Sequence, residues 1–240
     1  MDLDPMSVST AVQSDTGFLR SRGMRFPKNP EILRPRMRRA LRANAYEGKE
    51  ADAIKRIARP DDIALELGGG IGFMSTLMAR NVGVAHVHVF EANPRLIPYI
   101  QSVHAANEIE NATLYHAVLG ARKGSAKFYV RKNFLGSSLS KTGPSPTVSV
   151  EDVPVQNVQK VMKAIKPTLL VCDIEGAEQD VIPLMDLSSV RAAVVELHPQ
   201  WIGPEGVNKV FSAFMNAGLA YYARASTSKV VAFRRDWVLR

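Results

Sequence analysis

The sequence predicts an α/β domain: a doubly wound, mostly parallel seven-stranded sheet with an antiparallel C-terminal strand. Three observations predict it. Five short apolar runs alternate with helical patterns from Ile63 onward. Four of those runs end in an acid, namely Glu66, Glu91, Asp173 and Glu196. A glycine turn, Gly68-Gly-Gly-Ile-Gly72, follows the first run, and two strand-like stretches near the C-terminus read as a hairpin. Ligands of such sheets bind outside the carboxyl ends of the strands, which is where the four acids fall.

The chain has 240 residues, 46% of them hydrophobic, enough for one sizeable core. Residues 1–30 mix Ser, Thr, Asp, Gly and Pro without periodicity and are expected to be a flexible tail. Residues 31–240 are expected to form a single domain. Its residues 31–60 read as basic helices, with Met37, Leu41 and Ala45 inward in the first and Ala51, Ile54 and Ala58 in the second. The net charge of +8 is concentrated here: residues 20–60 carry thirteen bases and four acids. Such a patch meets nucleic acid, an acidic membrane surface or an anionic substrate, or is a solvated helix face. No apolar run reaches the ~18 residues of a membrane span. The N-terminus has acids where a secretory signal has bases. The single cysteine, Cys172, excludes an internal disulfide and a Cys-based zinc cluster. A cytoplasmic location is the expectation.

The first strand, residues 63–67, leads into the glycine turn and a helix over residues 73–80. A dinucleotide fingerprint would need its third glycine at Phe73, and a phosphate-binding P-loop would need a Lys after Gly72. Instead Glu66, Gly68, Gly70 and Gly72 form acid-x-Gly-x-Gly-x-Gly, which resembles the first motif of class I S-adenosylmethionine-dependent methyltransferases. The second strand, residues 85–90, ends in Glu91-Ala-Asn-Pro94. Glu91 stands 19 residues past Gly72, the spacing of an acid that accepts hydrogen bonds from ribose hydroxyls; capping the next helix is its other reading. A helix over 95–107 and a third strand over 112–119 follow. His86, His88, His104 and His116 lack metal-ligand spacing.

Residues 120–150 depart from the β/α alternation. Strands at 125–131 and 147–153 flank a Gly/Ser/Pro-rich stretch, read as an inserted β-hairpin and candidate substrate lid. A helix over 155–165, a buried fourth strand over 168–172, a helix over 178–185, a fifth strand over 191–195 and a helix over 207–217 complete the units. The terminal hairpin spans 219–225 and 229–234.

Taken together, Tyr46-Glu47, Glu66-Leu-Gly-Gly-Gly-Ile-Gly72, Phe90-Glu-Ala-Asn-Pro94, Gly136-Ser-Ser-Leu139, Asp173-Ile-Glu-Gly-Ala-Glu178 and Val195-Glu-Leu-His-Pro199 resemble the FkbM family of methyltransferases. The matches run in order over roughly two thirds of the chain. The family often reads Gly-Ala-Asn-x-Gly where this chain has Gly68-Gly-Gly-Ile-Gly72, a wider loop for the same ligand. The resemblance implies a Rossmann-like class I fold and S-adenosylmethionine-dependent O-methylation of a sugar or secondary-metabolite hydroxyl. It implies a cofactor site from Tyr46, Glu47, Glu66, Gly68, Gly70, Gly72, Glu91, Ala92, His116, Ala117 and Asp173. Glu91 would hold the ribose, the glycine turn the methionine portion, Glu66 the ammonium, and His116-Ala117 would meet adenine. Asp173, Glu175, Glu196 and His198 are the candidate bases, with Asp173 and His198 foremost. The same carboxylates and histidine also suit a hard cation such as Mg²⁺. Glu178 reads as charge pairing at a helix N-terminus.

The partner expected is a small-molecule or glycan acceptor. Two alternatives stay open: an RNA methyltransferase that uses the basic N-terminal region, and a module that binds the cofactor without transferring.

Overall fold

The structure is a computed structural model describing residues 17–143 and 145–236. It opens with a hairpin, β1 (Phe18–Ser21) and β2 (Met24–Pro27). Helices α1 (Pro35–Arg42) and α2 (Gly48–Ile57) follow, then β3 (Ile63–Leu67) and the short helix α3 (Phe73–Thr76), which widens into a π-helical turn over Leu77–Val82. Next come β4 (His86–Glu91), α4 (Ile97–Ala106), β5 (Ala112–His116), β6 (Val118–Gly120), β7 (Gly124–Arg131) and β8 (Thr147–Asn157). The chain ends with α5 (Val158–Ile165), β9 (Leu169–Cys172), α6 (Glu178–Val181), β10 (Ala192–Glu196), α7 (Pro199–Asn216), β11 (Ala220–Tyr221) and β12 (Val230–Arg234).

The seven-stranded sheet has the order β11-β12-β10-β9-β3-β4-β5. Only β12 runs against its neighbours. The doubly wound, mostly parallel fold is therefore as the sequence predicts. Successive residues of each central strand face opposite layers. Ala64, Val87 and Val89 enter one core with α2 and α4, while Leu65, Leu67 and Phe90 enter the other with α5 and α7. The order reverses between β3 and β9. Chain direction leaves β3 toward β4 and β5, then returns to β9 on its other side. Such a switch point opens a crevice at the strand ends.

The expected tail of residues 1–30 is corrected from Phe18 onward. Leu19, Met24 and Phe26 are buried, and Phe26 stacks on Phe73 with ring centroids 5.7 Å apart. Asn107 fastens the hairpin by accepting from Arg25 N at 2.8 Å and donating to its carbonyl at 2.7 Å. Too few residues lie in each strand for periodicity to announce them. Residues 1–16 lie outside the described residues.

Other boundaries move for local reasons. The third strand breaks at Ala117, and β6 leaves the main sheet to pair with β8 in a three-stranded sheet with β7. That sheet is the inserted hairpin plus one strand. β8 runs on to Asn157, whose side chain caps α5 by accepting from Lys160 N, so Val155 is strand and not helix. α7 begins at Pro199, eight residues before the expected start, with its first turn set apart by a kink at Gly203 before Pro204.

At the sheet edge opposite the crevice, Asp62 is buried and holds three elements together. It accepts from Arg59 N, from Thr168 Oγ1 at 2.7 Å and from the Arg191 guanidinium. Removing one partner of a buried pair strands the other charge. Asp62→Ala is expected to destabilise the protein by about 3–5 kcal/mol, read as a lower denaturation midpoint with an unchanged m-value.

Candidate active site

The carboxyl ends of β3, β4, β9 and β10 converge on a cavity of about 290 Å³. Its charge is one-sided. Glu47, Glu50, Glu66, Glu91, Asp173, Glu175 and Glu196 all line it, and among the described residues no Lys, Arg or His does.

The glycine turn makes this approach possible. Gly68, Gly70 and Gly72 have φ of 87°, 53° and 74°, which favours glycine at each. A Cβ on Gly68 would lie 1.8 Å from the Asp173 carbonyl oxygen, so the β3 turn and the β9 turn touch backbone to backbone. Gly70 is different: its nearest neighbour would be Glu47 Oε1 at 3.9 Å. Its φ lies in the left-handed region that Asn also tolerates. Gly68 and Gly70 line the cavity, whereas Gly72 packs on Ile100.

Glu91 is buried and wired to both turns. Gly70 N donates to its Oε2 at 2.8 Å and Asn93 N to its Oε1 at 2.6 Å. Burial raises its pKa to about 7, against the lowering pull of these amides. Glu47 sits at the start of α2 with φ 43°, a strained non-glycine position of the kind found at functional sites. Burial and the neighbouring Glu50 push it up to about 8. Tyr46 beside it is buried edge-on against Phe73. Glu66 is buried, with Oε2 lacking any hydrogen-bond partner, and burial together with Glu47 and Glu91 raises its pKa. An orphaned buried carboxylate oxygen beside a glycine turn is a place for a cationic donor.

Ala92 and Ala117 line the cavity next to Phe90, Val118 and Leu119. His116 does not. Its ring nitrogen is 3.1 Å from the Ala92 carbonyl, so it steadies that loop from behind. The inserted sheet adds Phe128, Phe134, Ser137, Ser138 and Leu139 to the lining.

The β9 turn carries the groups suited to proton transfer. Glu175 and Gly176 have φ of 51° and 100°, which bends the chain back toward α6. Glu178, fully buried, is the hub of the turn: its Oε1 accepts from Ile174 N, from Gly176 N and, at 2.9 Å, from His198 Nδ1. That bond turns His198 Nε2 toward Asp173 Oδ1 at 3.7 Å and Glu175 Oε2 at 3.4 Å. Burial lowers the His198 pKa, but the bond to Glu178 and the charges of Glu178, Glu175 and Glu196 outweigh it, and the net shift is upward. Asp173 is raised by burial and by Glu196 and Glu175. Asp173, Glu196 and His198 offer atoms within 4.8 Å of one another. Lys229 Nζ sits 2.7 Å from Glu196 Oε1. The four candidate bases thus gather in one cluster, with Asp173, Glu175 and Glu196 around His198 and Glu196 paired as well with Lys229. Sequence reading missed Glu50 and also Glu178, because an acid in the first turn of a helix is ordinary there. The only sequence-level signal for Glu178 was its place in the Asp173-Ile-Glu-Gly-Ala-Glu178 hexad.

A family model, the methyltransferase FkbM domain, matches residues 66–222. No curated protein sequence matches the chain. Among solved structures, Trm5b from Pyrococcus abyssi aligns at TM-score 0.51 and 11% identity, covering 90% of this chain and 55% of that one. Precorrin-6y C5,15-methyltransferase from Geobacter metallireducens aligns at TM-score 0.47 and 11% identity, covering 78% and 85%. TYW2 from M. jannaschii in complex with AdoMet aligns at 0.43 and 9% identity, covering 90% and 85%.

Proposed function

The chain belongs to the FkbM methyltransferase family, and from that premise we propose that it methylates a hydroxyl group of a sugar or secondary-metabolite acceptor with S-adenosylmethionine. The observation that carries the choice of cofactor is the cavity lined by seven carboxylates and no base. A dinucleotide would place a diphosphate among those acids, and like charges in a shielded site repel by several kcal/mol. A ligand with an ammonium and a sulfonium matches them. Glu91 accepts from the ribose hydroxyls, the Gly68–Gly72 turn admits the methionine portion, and the free Glu66 Oε2 takes the ammonium. When bound, S-adenosylmethionine supplies a methyl group on a good leaving group, so the protein's own task is alignment and proton removal.

His198 is the base that this geometry favours. Glu178 holds Nδ1, which turns Nε2 toward Asp173 and Glu175, two residues that line the cavity. Nε2 takes the proton of the acceptor hydroxyl as the methyl group moves, and the ring of acids stabilises the imidazolium that results. Phe128 of β7 and Phe134 and Leu139 of the segment after it line the cavity with apolar surface, which keeps water from the reacting groups. A Mg²⁺ ion at Asp173 is the second reading. Lys229 is paired with Glu196 Oε1, so chelation is expected to leave the rate unchanged, and a rate lost on chelation would favour the metal.

Calorimetric titration with S-adenosylmethionine, S-adenosylhomocysteine and NAD tests the cofactor. Both adenosyl ligands are expected to bind and NAD not to. Glu91→Ala is expected to weaken both by about 10–100-fold, the loss of one or two hydrogen bonds to a charged group. Absence of adenosyl binding by the folded protein would sink the proposal.

The raised acids add a pH dependence. Glu91 and Glu47 hold protons up to about 7 and 8, and a bound cation favours their ionised forms. Affinity for S-adenosylmethionine is therefore expected to rise from pH 6 to pH 8, more steeply than for the uncharged-sulfur product, with proton release detectable in buffers of different ionisation enthalpy. The unliganded protein should do the reverse. Its native state binds more protons than the unfolded chain, so its stability falls as pH rises through that window.

A further inference from the structure

Phe134 lines a second cavity, of about 730 Å³, as well as the acidic one. Its walls come from residues 27–34 before α1, from the start of α4, from the end of β7 and from β8. Two bonds tie the walls together: Tyr99 Oη donates to the Pro27 carbonyl at 2.9 Å, and Arg34 Nη2 to the Lys132 carbonyl at 3.1 Å.

The charge here is opposite to that of the first cavity. Lys28, Arg34, Arg95 and Lys132 are exposed on the groove, and Glu31 is the only acid among its lining residues. Arg131 does not add to this surplus. Its guanidinium turns inward and donates to the carbonyls of Ser140 and Ser145 and to Thr147 Oγ1. Among the described residues, the Arg95 and Lys132 side chains engage in no hydrogen bond or ion pair.

We propose that this groove holds a phosphate or diphosphate group of the methyl acceptor, whose hydroxyl end passes Phe134 into the acidic cavity. The inference rests on the methyltransferase reading and adds the acceptor's class, a phosphorylated small molecule. An anion is repelled by the acids of the first cavity, so the charged end of the acceptor must lie outside it. Two adjoining cavities of opposite sign admit such a molecule in one orientation only. Two arginines among four cations suit the several oxygens of a phosphate, which a guanidinium can contact in pairs. The volume is that of a small-molecule site. The groove's aromatic residues, Tyr99 and Phe134, are both buried, so no exposed ring is offered for base stacking along a nucleic acid.

The test titrates the full chain, loaded with S-adenosylhomocysteine, with inorganic pyrophosphate. Wild type is compared with the double variant Arg95→Glu, Lys132→Glu. Wild type is expected to bind pyrophosphate and the variant at least tenfold more weakly, with S-adenosylhomocysteine affinity equal in both. Equal pyrophosphate affinity in the two proteins, or none in wild type while S-adenosylhomocysteine binds, overturns the proposal. Failure of S-adenosylhomocysteine to bind wild type is a separate result and removes the methyltransferase premise itself. A single-stranded RNA oligonucleotide serves as the competing probe. Binding more than tenfold tighter than pyrophosphate, steeply salt-dependent and lost in the double variant, would overturn the small acceptor in favour of nucleic acid.

Discussion

Gly68→Ala is expected to cost more than about 4 kcal/mol of stability, the range of the most damaging single substitutions. The added Cβ would stand 1.8 Å from the Asp173 carbonyl oxygen and 2.9 Å from its carbon. Both atoms belong to backbone at the end of a central strand, so no rotamer change relieves the overlap. The φ of 87° adds strain of its own. For a chain of this size the melting temperature should fall by about 10 °C or more. Whatever folds should bind S-adenosylhomocysteine poorly, because pushing the β3 turn off the β9 turn opens the cavity. Gly70→Ala is the control. It meets nothing closer than Glu47 Oε1 at 3.9 Å, so only the left-handed φ penalty of about 1–2 kcal/mol applies. Thermal melts of the two variants decide it; equal loss in both would mean that the close approach of the turns is not what constrains Gly68.

His198→Ala is expected to lower kcat by about 10²–10⁴-fold, the range for removal of a positioned acid–base group, while S-adenosylmethionine affinity stays within about threefold. Glu178 is a positioning residue for that histidine, and its variants separate orientation from charge. Glu178→Gln keeps an oxygen to accept from Nδ1 but removes the negative charge. Glu178→Ala removes both. The glutamine variant should therefore retain more activity than the alanine variant. The direction of the pH profile follows from the same contacts. His198 must be neutral to accept a proton, so kcat/KM rises with pH and levels off above its raised pKa. Loss of the Glu178 charge moves that inflection to lower pH, whereas a merely structural role would lower the plateau without moving it. A His198→Ala protein with wild-type kcat would leave Asp173 as the base.

How much of this was legible in advance depends on how far apart the interacting residues lie. The parallel sheet, the glycine turn and the strand-end acids are signals within a few residues of one another, and the sequence showed all of them. Glu66, Gly68, Gly70, Glu91, Ala92, Ala117 and Asp173 do line one cavity. They do so because strand ends in a doubly wound sheet converge whatever the side chains are. The N-terminal hairpin escaped notice because its strands are four residues each and owe their order to Phe73 and Asn107, elements later in the chain.

What the tertiary structure alone decided is which charged groups meet. Glu178 and His198 lie 20 residues apart, and Asp62 and Arg191 lie 129 apart. No periodicity records such pairs, since burial of a charge depends on partners brought in by other elements. The family resemblance implies an adenine contact for His116, whereas the fold sets its ring against the Ala92 carbonyl, outside the cavity lining. The basic excess of residues 20–60 was plain as a number, but the sequence left its use open. Packing joined Lys28 and Arg34 of that segment to Arg95 and Lys132 from elsewhere, beside a cavity of the opposite charge. Local sequence determines the elements and the kind of site they frame; the long-range contacts that desolvate and pair its charges set the chemistry.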